Sequence, residues 1–277
     1  MIAPMIPASL SFRERATRAF AAAALSACTL IAAAQSAPPA DSQAGDTPAD
    51  DAPPGGAQPA PPRLQPNTMA ARVAACTACH GAGGRAGPDG YYPRLAGKPQ
   101  AYLFEQLLNF RDGRRSYRPM QYLLAGLPDD YLDEIAGYFA GEHLPYPAPA
   151  AATAPAAQRE QGRRLVMEGD AARKLPACSA CHGQALAGKA PAIPGLLGLP
   201  YDYLVSQIGA WRTGLRHARE PDCMAQVAER LTPDEIGAAA AWLSSQPVAQ
   251  PYVPDPPDAT PLPLECGSQS AALRGRR

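Results

Sequence analysis

Two stretches of the chain repeat one order of hydrophobic and polar positions. Over 99 to 112, Tyr102, Leu103, Gln106 and Phe110 recur with helical spacing, and over 200 to 213 Tyr203, Leu204, Gln207 and Trp211 do the same. This is the period of an amphipathic helix, opening in each copy at a proline (Pro99, Pro200) and closing at a glycine (Gly113, Gly214). Helices are also predicted over about 68 to 80 and 158 to 169 upstream, and over 129 to 140 and 233 to 245 downstream. The last of these carries its own start signal, Thr232-Pro233-Asp234-Glu235, with an N-cap, a proline at the first helical position and a capping-box glutamate. The remainder reads as loop, so the pattern predicts two small all-α units with few helices.

The repetition extends beyond the helices. Pro93-Arg94-Leu95-Ala96-Gly97-Lys98-Pro99 matches Pro194-Gly195-Leu196-Leu197-Gly198-Leu199-Pro200, and Arg111, Gly113 and Arg115 match Arg212, Gly214 and Arg216. The offset stays at 101 to 104, and Met120 meets Met224 after a three-residue insertion in the second copy. This divides the chain into domain 1 at 67–146, a linker at 147–157, domain 2 at 158–247 and a Pro-rich tail at 248–277. Units this small bury little apolar surface alone, which points to a cofactor at the centre of each core.

Composition changes the picture at the ends. The segment 38–66 is Pro, Ala, Gly and Asp with almost no large apolar residue, and is expected to be a disordered tether. Residues 1–37 place Arg13, Arg15 and Arg18 before a short Ala/Leu-rich run, which predicts an export signal rather than a membrane span. Two outcomes stay open: cleavage near Ala34 or Ala37, releasing a periplasmic protein, or processing before Cys28 in Leu25-Ser26-Ala27-Cys28, leaving a lipidated cysteine that anchors the chain to a membrane. Charge is balanced, with 25 basic and 25 acidic residues. No basic stripe for nucleic acid is present.

The chemistry lies in Cys76-Thr77-Ala78-Cys79-His80 and Cys178-Ser179-Ala180-Cys181-His182, each followed by a glycine. Two sulfurs about one helical turn apart each add to a haem vinyl group, and the adjacent histidine ligates the iron, so the pair predicts two covalently bound c-type haems. A four-cysteine zinc site or a redox dithiol are the competitors. Both leave the histidines idle and have no need of one half-site per repeat.

The sixth ligands are expected to be Met120 and Met224, which follow His80 and His182 by 40 and 42 residues in equivalent loops. A lone methionine is usually core filler, but both of these sit in polar, Pro-containing segments. Met69 and Met167 fall on predicted helices and form no such pair, and His143 and His217 have no matching partner and read as surface residues. A thioether favours ferrous iron and closes the sixth site to substrate. Pro93 and Pro194 are placed to accept a hydrogen bond from the ligating imidazoles, and Arg115 and Arg216 to pair with haem propionates, with turn prolines and solvated arginines as the alternatives. Cys223 and Cys266 remain, and in an oxidising compartment they are expected to pair, free thiols being the other outcome.

Taken together, the tandem CxxCHG motifs, P-x-L-x-G, Y-L-x-x-Q, aromatic-Arg-x-Gly and the trailing methionine resemble the dihaem cytochromes c of the cytochrome c4 type over about residues 67 to 247. The resemblance implies two tandem class I cytochrome c domains about a pseudo-twofold axis and periplasmic electron transfer toward a terminal oxidase. The expected role is an electron carrier, not an enzyme, fed by a quinol-oxidising complex or a dehydrogenase. A cytochrome subunit of a periplasmic dehydrogenase is the alternative. A dihaem peroxidase needs an open sixth site, which two matched methionines argue against.

Overall fold

The computed structural model describes residues 67–87, 89–149, 151–257 and 260–269; the expected export segment, Cys28 and the tether lie outside the described residues. The first half runs α1 (Met69–Arg72), α2 (Ala74–His80), α3 (Gln100–Arg111), α4 (Arg118–Leu124) and α5 (Asp129–Ala140). The second runs α6 (Ala156–Met167), α7 (Cys178–His182), a two-stranded antiparallel ribbon of β1 (Gly188–Lys189) and β2 (Ile193–Pro194), then α8 (Tyr201–Arg212), α9 (Cys223–Arg230) and α10 (Pro233–Ser244).

Each predicted helix is present, but two features differ from the pattern's expectation. Met120 and Met224 stand in the first turns of short helices, not in loops. The reason is local: Pro119 pre-sets the first turn of α4, and the Asp222 carboxylate caps α9 by accepting from the Ala225 amide at 3.0 Å. The second haem motif also has its own helix. Gly169 and a 3₁₀ turn over Ala171–Arg173 separate α6 from α7, whereas only Val73 separates α1 from α2.

The first core packs Leu103, Leu108 and Phe110 of α3 against Leu132, Ile135, Ala136 and Phe139 of α5, with Val73 closing it. Burying each large side chain stabilises by about 1.5–3 kcal/mol. The second core relies on close backbone approach. A Cβ on Gly162 of α6 would lie 2.0 Å from the Ala238 carbonyl oxygen of α10, so glycine there and the alanines at 238–241 let the two helices touch.

The described tail residues, 248–257 and 260–269, fold back onto the second half and Tyr146, although their composition predicts little reason to. The Asp255 amide donates to the Gly188 carbonyl at 2.9 Å, and the Ala190 amide to the Asp255 carbonyl at 2.8 Å. Tyr252 stacks on Tyr146 with centroids 4.8 Å apart. Cys266 forms a disulfide with Cys223, its Cα 5.1 Å from its partner's, which settles the pairing in favour of the bridge.

Candidate haem sites

Each haem motif ends a helix at its histidine. The next residue, Gly81 or Gly183, has φ of 74° or 84°, and a Cβ at Gly81 would sit 2.3 Å from the Ala86 carbonyl oxygen. Glycine is therefore required for the chain to turn away directly after the ligand.

His80 Nδ1 lies 2.8 Å from the Pro93 carbonyl oxygen and His182 Nδ1 lies 2.7 Å from that of Pro194. A carbonyl only accepts, so each Nδ1 carries the proton and each Nε2 keeps its lone pair for a metal. Burial pushes both imidazoles below the usual histidine range, His80 with a contribution from Arg115 and His182 with one from Lys98. Both are thus held neutral, as a ligand must be.

Burial pushes Cys76 up and Cys178 up to about 12, the reverse of the depressed thiols of disulfide oxidoreductases. Among the described residues no three His, Cys, Asp or Glu side chains converge as a metal cage, so the four-cysteine zinc site is not assembled.

In the first half Cys76, Cys79, His80 and Met120 line one cavity of about 410 Å³, walled by Leu95, Leu103, Phe110 and Ile135. That volume is in the range of cofactor sites, about 300–1,000 Å³. Residues of the second half, Tyr203, Gln207 and Arg216, line it too. Met224 takes the equivalent place to Met120, half-buried at the start of α9. Met69 and Met167 lie on α1 and α6, and His143 and His217 are exposed.

The two halves meet through their duplicated residues. Arg115 and Arg216 pair as an antiparallel bridge, with the Ser116 amide donating to the Leu215 carbonyl and the His217 amide to the Arg114 carbonyl. Arg115 donates to Gln106 and Gln207 and Arg216 to the same two amides, so each arginine spans the seam. Their guanidiniums lie over Phe110 and Trp211 at 4.4 and 3.8 Å. Burial and the neighbouring Arg115 charge pull Arg216 down to about 10, which marks a buried cationic pair. Arg219 adds an ion pair across the seam to buried Glu105 at 2.7 Å.

Some site residues have no signal in the repeat. Asp222, buried, accepts from the Ala218 amide at 2.6 Å and from Trp211 Nε1 at 3.3 Å, binding α9 to α8 behind Met224. Its position just before a short helix is a recognisable N-cap signature. Arg94, also buried, donates to the carbonyls of Ala96, Leu144 and Pro145, and its guanidinium lies 3.9 Å over Tyr146. Lys98 is buried, and loss of solvent pulls its ammonium down to about 8.

Comparison with known proteins agrees with this geometry. Residues 141–247 match the family model for cytochrome c. The thiosulfate dehydrogenase electron acceptor of Thiomonas intermedia is 37% identical over 64% of this chain and 81% of its own length. Cytochrome c4 of Pseudomonas aeruginosa is 33% identical over 62% of this chain and 84% of its own. The crystal structure of reduced cytochrome c4 from Pseudomonas stutzeri superposes with a TM-score of 0.56 at 29% identity, covering 64% of this chain and 95% of that one. A duplicated fold with two buried histidines oriented by proline carbonyls, matched along most of these relatives' length, places the chain among the dihaem cytochromes c of the cytochrome c4 type, electron carriers rather than enzymes, with two covalently bound haem c groups.

Proposed function

We propose that the chain accepts electrons from a thiosulfate-oxidising dehydrogenase in the periplasm and passes them on toward a terminal oxidase. The observation that carries this reading is the 37% identity over 81% of the Thiomonas intermedia protein, whose name states that role. Transfer from a quinol-oxidising complex, the expectation from the sequence motifs, is the second reading.

Within that role, residues 67–146 and 158–247 are the two haem domains. Cys76 and Cys79 would hold the first haem, with His80 and Met120 as the ligands of its iron; Cys178 and Cys181 would hold the second, with His182 and Met224. When bound, haem supplies an iron that moves between ferric and ferrous by one electron. The protein's part is electrostatic and steric. The Pro93 and Pro194 carbonyls fix the imidazoles, the methionines would ligate the iron and leave substrate no open site, and Arg115 and Arg216 supply positive charge where the halves meet, suited to haem propionates.

The test mixes the oxidised holoprotein with thiosulfate and a catalytic amount of purified thiosulfate dehydrogenase. Rapid growth of the ferrous haem bands, dependent on both components, is expected. Reduction no faster than with thiosulfate alone, alongside rapid reduction by a quinol-oxidising complex, overturns the first reading in favour of the second.

A further inference from the structure

The repeat is asymmetric at one buried position. Lys98 in the first copy stands where the second has Leu199. Leu199 is buried and joins the apolar core of the second half, so the fold accepts a hydrocarbon here. Lys98 is only 5% exposed, and its Nζ is buried with no hydrogen-bond partner among the described residues. The ionisable groups coupled to it are Tyr203, Arg94 and His182, a phenol, a second cation and an imidazole, none of them a carboxylate. A buried ammonium without an anion costs several kcal/mol, as an order of magnitude. An anion from outside the polypeptide, placed at Nζ, would offset that cost.

The chemistry of the site supplies one. Lys98 lines the same cavity as His80 and Met120, together with Arg115, Arg216 and Tyr203 from the seam. A haem in that cavity carries two carboxylates on its propionate arms, and the cavity's cationic side chains are the groups that would receive them. Arg94, which could compete for a propionate, already donates to three backbone carbonyls.

We propose that Lys98 binds a propionate of the first haem, and so holds that haem's potential above what its axial ligands alone give. This rests on the assignment of the first haem to Cys76, Cys79 and His80. A cation beside the propionate offsets the negative charge that favours ferric iron, and because Leu199 occupies the equivalent place in the second copy, Lys98 reaches the second site only through its charge on His182. The duplicated ligands would then work at different potentials, giving electron flow between the haems a direction.

The experiment is a spectroelectrochemical titration of the full-length holoprotein with Lys98→Leu, the residue of the sister repeat, and Lys98→Arg. In Lys98→Leu, one of two one-electron steps should fall by roughly tenfold in its equilibrium constant, about 59 mV for a one-electron couple. It should be the step that Met120→Ala also moves, and the propionate bending band in resonance Raman should shift with it. Lys98→Arg should keep both near wild type. A Lys98→Leu protein with two haems and unchanged steps and propionate band overturns the proposal, as does a shift confined to the step that Met120→Ala leaves in place. Should Lys98→Leu fail to load haem, Lys98→Met, with an unbranched stem, is read by the same criteria. Haem content by pyridine haemochrome reports separately whether the first-site assignment itself fails.

Discussion

The two halves share a ligand plan and differ in how it is enclosed. In the first, Cys79 is exposed, and Tyr91 and Tyr122 are 61% and 85% exposed. In the second, Cys181, the counterpart of Cys79, is half-buried, Asp255 of the tail hydrogen-bonds along β1, and the Cys223–Cys266 disulfide ties the helix bearing Met224. Duplication thus preserved what the iron needs, a neutral histidine fixed by a proline carbonyl, while solvent access and mechanical support diverged. The first half leaves more of its haem motif open to solvent, and the second is held by the tail.

The widest separation of the halves is covalent. Cys79→Ala should leave haem attached to the second site only, Cys181→Ala to the first only, and the double variant should carry no stable covalent haem. Haem staining of the three proteins on a denaturing gel reads this directly, and full staining of the double variant contradicts the attachment sites.

Reducing the disulfide should remove the asymmetry of support. The bridge closes a segment with a sequence separation of 43, worth about 4 kcal/mol in the chain-entropy model. Cys266→Ser should therefore weaken the Met224–iron bond and leave the Met120 bond unchanged. The far-red charge-transfer absorption of sulfur ligation, followed with rising denaturant, should then fall in two stages, with the earlier one belonging to the second haem. A single unchanged transition would show that the tail does not support Met224.

A smaller effect is expected at the contact of α6 with α10. Gly162→Ala pushes a methyl into the Ala238 carbonyl and should cost about 1–3 kcal/mol, as overpacking usually does. Denaturant unfolding followed at each haem should place the loss in the second half.

Much of this was legible from the repeat. The cysteines, histidines, Pro93, Pro194 and the paired methionines were identifiable because each imposes a fixed spacing, and the helices over 99–112 and 200–213 because their apolar period is regular. The short helices carrying Met120 and Met224 read as loop because two turns give too few apolar positions for a period, and only Pro119 and Asp222 mark their starts. The tail's path depends on backbone hydrogen bonds from Asp255, which leave no trace in composition. Burial of Lys98 ran against the usual exposure of lysine and emerged only once the halves were packed together. Arg115 and Arg216, read from sequence as candidate partners of haem propionates, join the halves through Gln106 and Gln207, a role the repeat did not signal.

The claim that the chain holds two His/Met haems in unequal surroundings is tested most directly by an optical redox titration of the purified holoprotein across the visible and far-red. The account predicts two c-type haems per chain, reduced in two resolvable one-electron steps, with the ferric sulfur-ligation band lost in equal parts across them. One haem per chain, a missing sulfur band, or two haems titrating as a single one-electron step would contradict it.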